Sequence, residues 1–288
     1  MAAYPEDLRE LVEAHLDRLS YSPRPQTSGL EEAMRYSLLA GGKRIRPVLC
    51  LATARALGAD PAAVLPTAAA LELIHTYSLI HDDLPAMDDD ELRRGRPTSH
   101  VAHGEDVAIL AGDALFAEAI RLVCELQEGE PARILGAVRE IAAATGVDGM
   151  VGGQYVDVTG ARADPESLRL LHSLKTGRLI AASICSALVL VGTDGDEEPY
   201  RRFAAELGIL FQIVDDILDV TGSDEELGKP HGSDERHGKV TYVSLFGLER
   251  ARELANASHE EATQALNDVP GDVSSLRQIA DFIYTRQS

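Results

Sequence analysis

A chain of 288 residues with 45% apolar content can bury one large core, or two at most. Its net charge of −20 excludes non-specific binding to nucleic acid or to anionic membranes. Three scattered cysteines (Cys50, Cys124 and Cys185) with no CxxC pair exclude a disulfide scaffold and a paired-cysteine zinc site, and they read as thiols of a reduced, cytoplasmic protein.

In chain order the hydrophobic period is helical almost throughout. Residues 4–19 place apolar side chains at 8, 11, 12 and 16, one face of a helix. Residues 28–39 open with Ser28 and Glu31, the spacing of a capping box. GGKRIRP (41–47) puts two glycines before a helix start, with Lys43 and Arg46 one turn apart. Residues 61–83 predict a long, mostly apolar helix whose Pro66 lies near its start or kinks it. Further helices are expected over 101–126, 131–158, 164–193, 198–221, 239–266 and 273–285. The longest uncharged apolar run, 179–192, is too short to span a bilayer and reads as a buried helix. There is no signal-peptide pattern at the start, no alternating stretch long enough to anchor a sheet, no linker and no solenoid repeat. The expectation is a single all-α domain over 1–288, a bundle of about ten helices.

Charge is placed unevenly. HDDLPAMDDDELRR (81–94) crowds six carboxylates between Asp82 and Glu91 and then adds Arg93 and Arg94. Like charges this close destabilise a helix, so either this is an acidic loop or something doubly positive belongs among them. Pro85 disfavours a helical Leu84 and bends the chain, which lets Asp88 return toward Asp82. A second cluster, FQIVDDILDV (211–220), puts Asp215 and Asp219 about 40° apart on a helix, with Asp216 flanking. Mg²⁺ suits both clusters, because it takes a few carboxylates, keeps waters and completes its shell with phosphate oxygens. His75, seven residues before Asp82, shares the first cluster's stripe. The chain has only four lysines, Lys43, Lys175, Lys229 and Lys239, each beside glycine, against twenty-three arginines. Lysine is a compact point charge suited to phosphate, and nearby glycine lets backbone approach an anion. Carboxylates and cations alternating around one place suit a metal-bound diphosphate.

GGKRIRP, LIHDDLPAMDDDELRRGRPT, GMVGGQYVD, LKTG and FQIVDDILDVTG…LGKPHGSDERHGKVTY together resemble the trans-isoprenyl diphosphate synthases, from about residue 28 to the C-terminal DFIYTR. The resemblance is greatest to bacterial farnesyl diphosphate synthases. It implies helices packed around a central cavity (the isoprenoid synthase fold), a homodimer, about three Mg²⁺ ions, and isopentenyl and allylic diphosphates as substrates. It implies that Asp82, Asp83 and Asp88 hold metal on one side, and Asp215, Asp216 and Asp219 on the other. Arg93, Lys175, Thr176, Gln212, Lys229 and Lys239 would contact the allylic substrate. Lys43, Arg46, His75 and Arg94 would hold isopentenyl diphosphate. Gln154 and Asp157 would face the site without an assigned role, and Asp234 would support the metal shell. The implied chemistry is ionisation of the allylic C–O bond, attack by the isopentenyl double bond on the carbocation, and loss of a proton to the released diphosphate.

A class I terpene cyclase is a poorer match, because this chain carries a second DDxxD and a second cationic site. A non-catalytic subunit of a heteromeric synthase is also poorer, because both aspartate motifs are intact. A structural metal-binding protein leaves the cations unexplained. For product length, Ser78 lies most directly below Asp82 on the helix, while Tyr77 reaches in from the flank. By the resemblance, Tyr77 closes the cavity at fifteen carbons, giving farnesyl diphosphate; geranylgeranyl diphosphate is the alternative.

Overall fold

The computed structural model describes residues 3–160, 164–193, 195–222 and 239–286. The N-terminal half carries α1 (Glu6–Arg18), α2 (Ser28–Leu38), α3 (Ile45–Ala56), α4 (Leu65–Asp82), α5 (Ser99–His103) and α6 (Glu105–Leu126). After these come α7 (Pro131–Thr145), α8 (Met150–Thr159), α9 (Pro165–His172), α10 (Arg178–Val191) and α11 (Glu198–Thr221). The chain ends with α12 (Tyr242–Phe246), α13 (Leu248–Ala265) and α14 (Ser274–Thr285). The fold is all-α, as the helical period requires. Its minor addition is a hairpin of two short strands, β1 (Leu92–Arg93) and β2 (Arg96–Pro97), antiparallel with Leu92 opposite Pro97.

Helix α4 packs along α6, α11 along α13, and α10 against α7 and α3. One apolar cluster runs from Leu8 to Ile283 and includes the fully buried Leu71, Leu73, Ile74, Leu115, Tyr200 and Phe203. Each such side chain contributes roughly 1.5–3 kcal/mol by leaving water. The stretches Pro61–Asp82 and Pro165–Val191 are long and apolar enough to cross a membrane by length and composition, but most of each is buried within this core.

Pro66 sits in the first turn of α4, where its missing N–H costs nothing. Other boundaries depart from expectation. The stretches 131–158 and 239–266 break, at 146–149 and at Gly247, while 165–191 runs on as one helix that widens into a π turn at Ser173–Gly177. The expected Ser28–Glu31 capping box does not form. A 3₁₀ turn over Pro25–Thr27 runs straight into α2, so Ser28 Oγ donates to Pro25 O instead (2.9 Å). Glu31 accepts backbone N–H bonds from Tyr21 and Ser22. A capping box does form at Thr241 and Ser244, which starts α12 beside the site.

Candidate active site

A cavity of about 730 Å³ opens between α4, α8, the α9–α10 junction and α11. Both acidic clusters line it through Asp82, Asp88, Asp215, Asp216 and Asp219. Arg46, His75, Arg93, Arg94, Lys175, Thr176, Gln212 and Lys239 line it too, as do Tyr77, Ser78, Gln154 and Asp157. Lys229 and Asp234 lie outside the described residues.

The first wall is the end of α4. Past Pro85 the chain folds back, and the Asp88 N–H donates to the carbonyl of Asp82 (2.9 Å), which is the return the proline predicted. Asp82 faces the cavity. Burial, opposed by Lys175 and reinforced by Asp88, raises its carboxyl above the usual range. Asp83 departs from expectation, because among the described residues it is not part of the cavity lining. It turns back under the hairpin, where Arg93 Nε donates to both of its oxygens at 2.8 and 2.9 Å. The α4 helix ends here, so successive side chains point about 100° apart and only one of the pair can face the cavity.

The second wall is α11, where the pair again divides. Asp215 is exposed toward the cavity, whereas Asp216 is 1% exposed. One Asp216 oxygen accepts from Gln212 Nε2 (2.8 Å) and the other from the backbone N–H of Tyr242 (2.7 Å). Asp216, which also lines the cavity, thus fixes the start of α12 and the Gln212 amide. Gln212 in turn accepts from Thr176 Oγ1 (3.2 Å).

Between the walls, SLKTG forms a π-helical turn, a widening often found at functional sites. It turns Lys175 and Thr176 into the cavity. Gly153 on α8 permits this approach, because an added Cβ there would collide with the Lys175 backbone. Lys175 Nζ donates to Asp157 Oδ2 (2.6 Å), and Lys239 Nζ donates to both oxygens of Asp88 (3.0 and 2.9 Å).

A cationic corner completes the site. In the hairpin turn, Arg94 and Gly95 both have positive φ, as a two-residue type I′ turn needs. The turn sends Arg94 back to donate to the carbonyl of Gly41. Gly42, at φ 126°, leaves room for the Arg94 guanidinium, which a Cβ would strike. Burial lowers Arg46 to about 10 and also lowers Arg94, and it holds His75 well below its usual value, so His75 is neutral. Buried cations that lack enough counter-charge create a demand for an anion.

Lys43 does not join this corner. It stands outside the lining, its ammonium 5.2 Å from the centre of the Phe282 ring. Arg44 takes a left-handed backbone and points inward to Glu13 and Glu72, while the Tyr4 hydroxyl holds the Lys43 carbonyl (2.7 Å). Sequence reasoning missed two other residues. Arg286, just past α14, lines the cavity with its guanidinium over Phe211 (4.3 Å) and bonded to Asp215 (3.1 Å); its Nε is buried without a partner among the described residues. His172 lines the cavity stacked on Tyr242 (5.6 Å), and burial lowers it to about 4. The only available signal was the YTR ending for Arg286 and the place of His172 three residues before Lys175.

The donor set fits Mg²⁺ ions shared with a ligand. Carboxylates from α4 and α11 line one cavity, with the ammonium groups of Lys175 and Lys239 beside Asp82 and Asp88. Among the described residues no three carboxylates form a ready-made cage. Ions held here would need oxygens from the substrate, which is how Mg²⁺ is bound at phosphate sites.

The polyprenyl synthetase family model matches residues 27–281. The chloroplastic large subunit 1 of the heterodimeric geranylgeranyl pyrophosphate synthase of Arabidopsis thaliana is 46% identical over 289 residues, covering 97% of this chain and 77% of that protein. The chloroplastic geranylgeranyl pyrophosphate synthase of Capsicum annuum is 48% identical, covering 90% and 72%. Among solved structures, a geranyltransferase of Helicobacter pylori, complexed with magnesium and isoprenyl diphosphate, superposes with a TM-score of 0.85 at 33% identity, over 98% of this chain and 97% of that one. The geranylgeranyl pyrophosphate synthetase of Pyrococcus horikoshii superposes with a TM-score of 0.86 at 32% identity, over 97% and 96%. With residues 27–281 matched by the family model and both aspartate motifs meeting at one cavity, the chain belongs to the polyprenyl synthetase family, the trans-isoprenyl diphosphate synthases.

Proposed function

We propose that the protein condenses isopentenyl diphosphate head to tail with allylic diphosphates, with Mg²⁺ as cofactor, and stops at geranylgeranyl diphosphate. The observation that carries the reaction is the pair of carboxylate walls lining one cavity, with a separate cationic corner beside them. Asp82, Asp88, Asp215 and Asp219 would hold the ions, of which about three are expected. When bound, the metal neutralises the charge that develops on the leaving diphosphate. Lys175, Lys239, Thr176, Gln212 and Arg93 orient the allylic diphosphate. Arg46, Arg94 and neutral His75 receive the second diphosphate and bring its double bond toward the allylic carbon. Apolar side chains such as Met150, Leu171, Phe211 and Leu218 shield the carbocation from water.

For product length, the side chain below Asp82 is the small Ser78, its hydroxyl turned back to the His75 carbonyl (2.8 Å). Tyr77 packs edge-on to Phe116 (5.4 Å) and His81 (5.6 Å), to one side of that path. The names of the curated relatives support the same twenty-carbon reading. The farnesyl reading keeps one observation in its favour, since Tyr77 still lines the cavity. Purified enzyme incubated with dimethylallyl diphosphate and excess isopentenyl diphosphate, followed by dephosphorylation, decides between them. Geranylgeraniol supports the proposal, and farnesol without longer alcohols overturns it.

We also propose that two copies associate and that the protein works in a reducing cytoplasmic compartment. The exposed Ile109, Leu110 and Phe116 on α6 support association, and three unpaired thiols suit the compartment. Light scattering of the purified protein tests the first, and the site of activity in fractionated cells tests the second.

A further inference from the structure

Asp157, the last residue of GGQYVD, has no role in the chemistry above, yet it sits at the centre of the ion pairs. Its Oδ2 accepts from Lys175 Nζ at 2.6 Å and lies 3.9 Å from Lys239 Nζ. Lys175 Nζ lies 3.9 Å from Asp82 Oδ2, and Lys239 Nζ lies 2.9 Å from Asp88 Oδ2. Charges therefore alternate along one line, Asp82, Lys175, Asp157, Lys239, Asp88. The two ends are the carboxylates that the proposed function gives to the metal.

An ammonium group and a divalent ion compete for the same carboxylate oxygens. Lys175 has two carboxylates within 4 Å and gives its short bond to Asp157 rather than to Asp82. The backbone dictates that choice. Gly153 seats α8 directly against the Lys175 backbone, and Asp157 lies four residues on, over the same face. The Asp157 side chain is 11% exposed, so little water screens the pair.

We propose that Asp157 is a positioning residue that holds Lys175 away from Asp82, so that Asp82 stays open to the metal when metal and diphosphate bind together. The inference rests on the metal-bridged reading of the cavity. With the carboxylate of Asp157 gone, Lys175 would close the gap to Asp82 and compete with the ion.

The test is Mn²⁺ binding to the full chain with inorganic diphosphate present, followed by electron paramagnetic resonance. Asp157→Asn should weaken Mn²⁺ binding roughly tenfold, the size of one redirected charge-assisted hydrogen bond. Asp157→Glu should restore it to within about twofold of wild type on the same argument, since the carboxylate is kept. In a Lys175→Gln background, Asp157→Asn should change Mn²⁺ binding little, because no ammonium remains to swing. Equal weakening in both backgrounds would overturn the inference, since Asp157 would then act on the ion directly. Unchanged binding in Asp157→Asn would overturn it as well. A wild-type chain that binds no Mn²⁺ with diphosphate would instead overturn the metal-bridged reading itself.

Discussion

Replacing Asp83 with asparagine separates the two members of the first aspartate pair. The Asp83 side chain is 4% exposed and that of Arg93 is 29% exposed. Removing one partner of a buried ion pair costs ~3–5 kcal/mol, because the other charge stays behind unpaired. Arg93 keeps access to water and lies 3.9 Å from Asp90, which screens part of that cost, so ~2–3 kcal/mol is expected. Burial raises the Asp83 carboxyl more than the Arg93 hydrogen bonds lower it, so desolvation offsets much of the pair's Coulombic gain and the lower end of that range is favoured. Loosening Arg93 should also raise the KM for the allylic substrate. The Mg²⁺ concentration for half-maximal activity should not move, because Asp83 faces Arg93 rather than the cavity. Asp82→Asn should do the reverse, shifting the Mg²⁺ requirement with little effect on unfolding. The assays are urea denaturation and Mg²⁺ titration of initial rates for both variants. If Asp83→Asn shifts the Mg²⁺ requirement as far as Asp82→Asn and leaves stability unchanged, the assignment of Asp83 to Arg93 is wrong.

Arg286 is close enough to Arg46 to help lower it, which puts it beside the cationic corner, so Arg286→Gln should raise the KM for isopentenyl diphosphate about tenfold, by loss of one charge-assisted contact, and leave the allylic KM within twofold. Steady-state kinetics varying each substrate will show whether both constants instead move together, which would remove Arg286 from the second diphosphate's corner. Tyr77→Ala should leave the product at twenty carbons, read from the dephosphorylated alcohols, because Tyr77 packs on Phe116 and His81 beside the path below Asp82. A shift to longer alcohols would make Tyr77 the residue that ends the cavity. Burial and the neighbouring arginines hold His75 well below the usual 6.5, so the unfolded chain takes up this proton first as the pH falls. The stability it contributes is complete above about pH 6.5 and is lost as the pH drops below that value. Urea unfolding at pH 8, 6 and 5 should show the wild-type advantage over His75→Gln shrinking with acid; a constant difference would contradict a neutral buried imidazole.

Several features are properties of short stretches and could be read directly. The helical period, Pro66 in the first turn of α4 and the return of Asp88 after Pro85 each depend on residues within a turn or two. Local sterics and backbone hydrogen bonding act over that range, so the residues themselves carry the information. The gathering of aspartates, lysines and arginines at one cavity was also legible, because so many buried like charges make sense only around a shared ligand.

The division of labour within each cluster was decided elsewhere. Asp83 and Asp215 are both acidic residues in a DDxx pattern, yet one meets Arg93 and the other faces the cavity. Lys43 stands in the right motif but is held outward by Tyr4 from the chain start and Phe282 from its end. Arg286 reaches Asp215 from 71 residues away. The π turn at Lys175 depends on Gly153 of another helix coming close enough to touch its backbone. A local pattern can say that a side chain is charged and which face of its own helix it takes. Which partner waits opposite that face depends on how distant helices pack to fill one core, and only the tertiary structure holds that information.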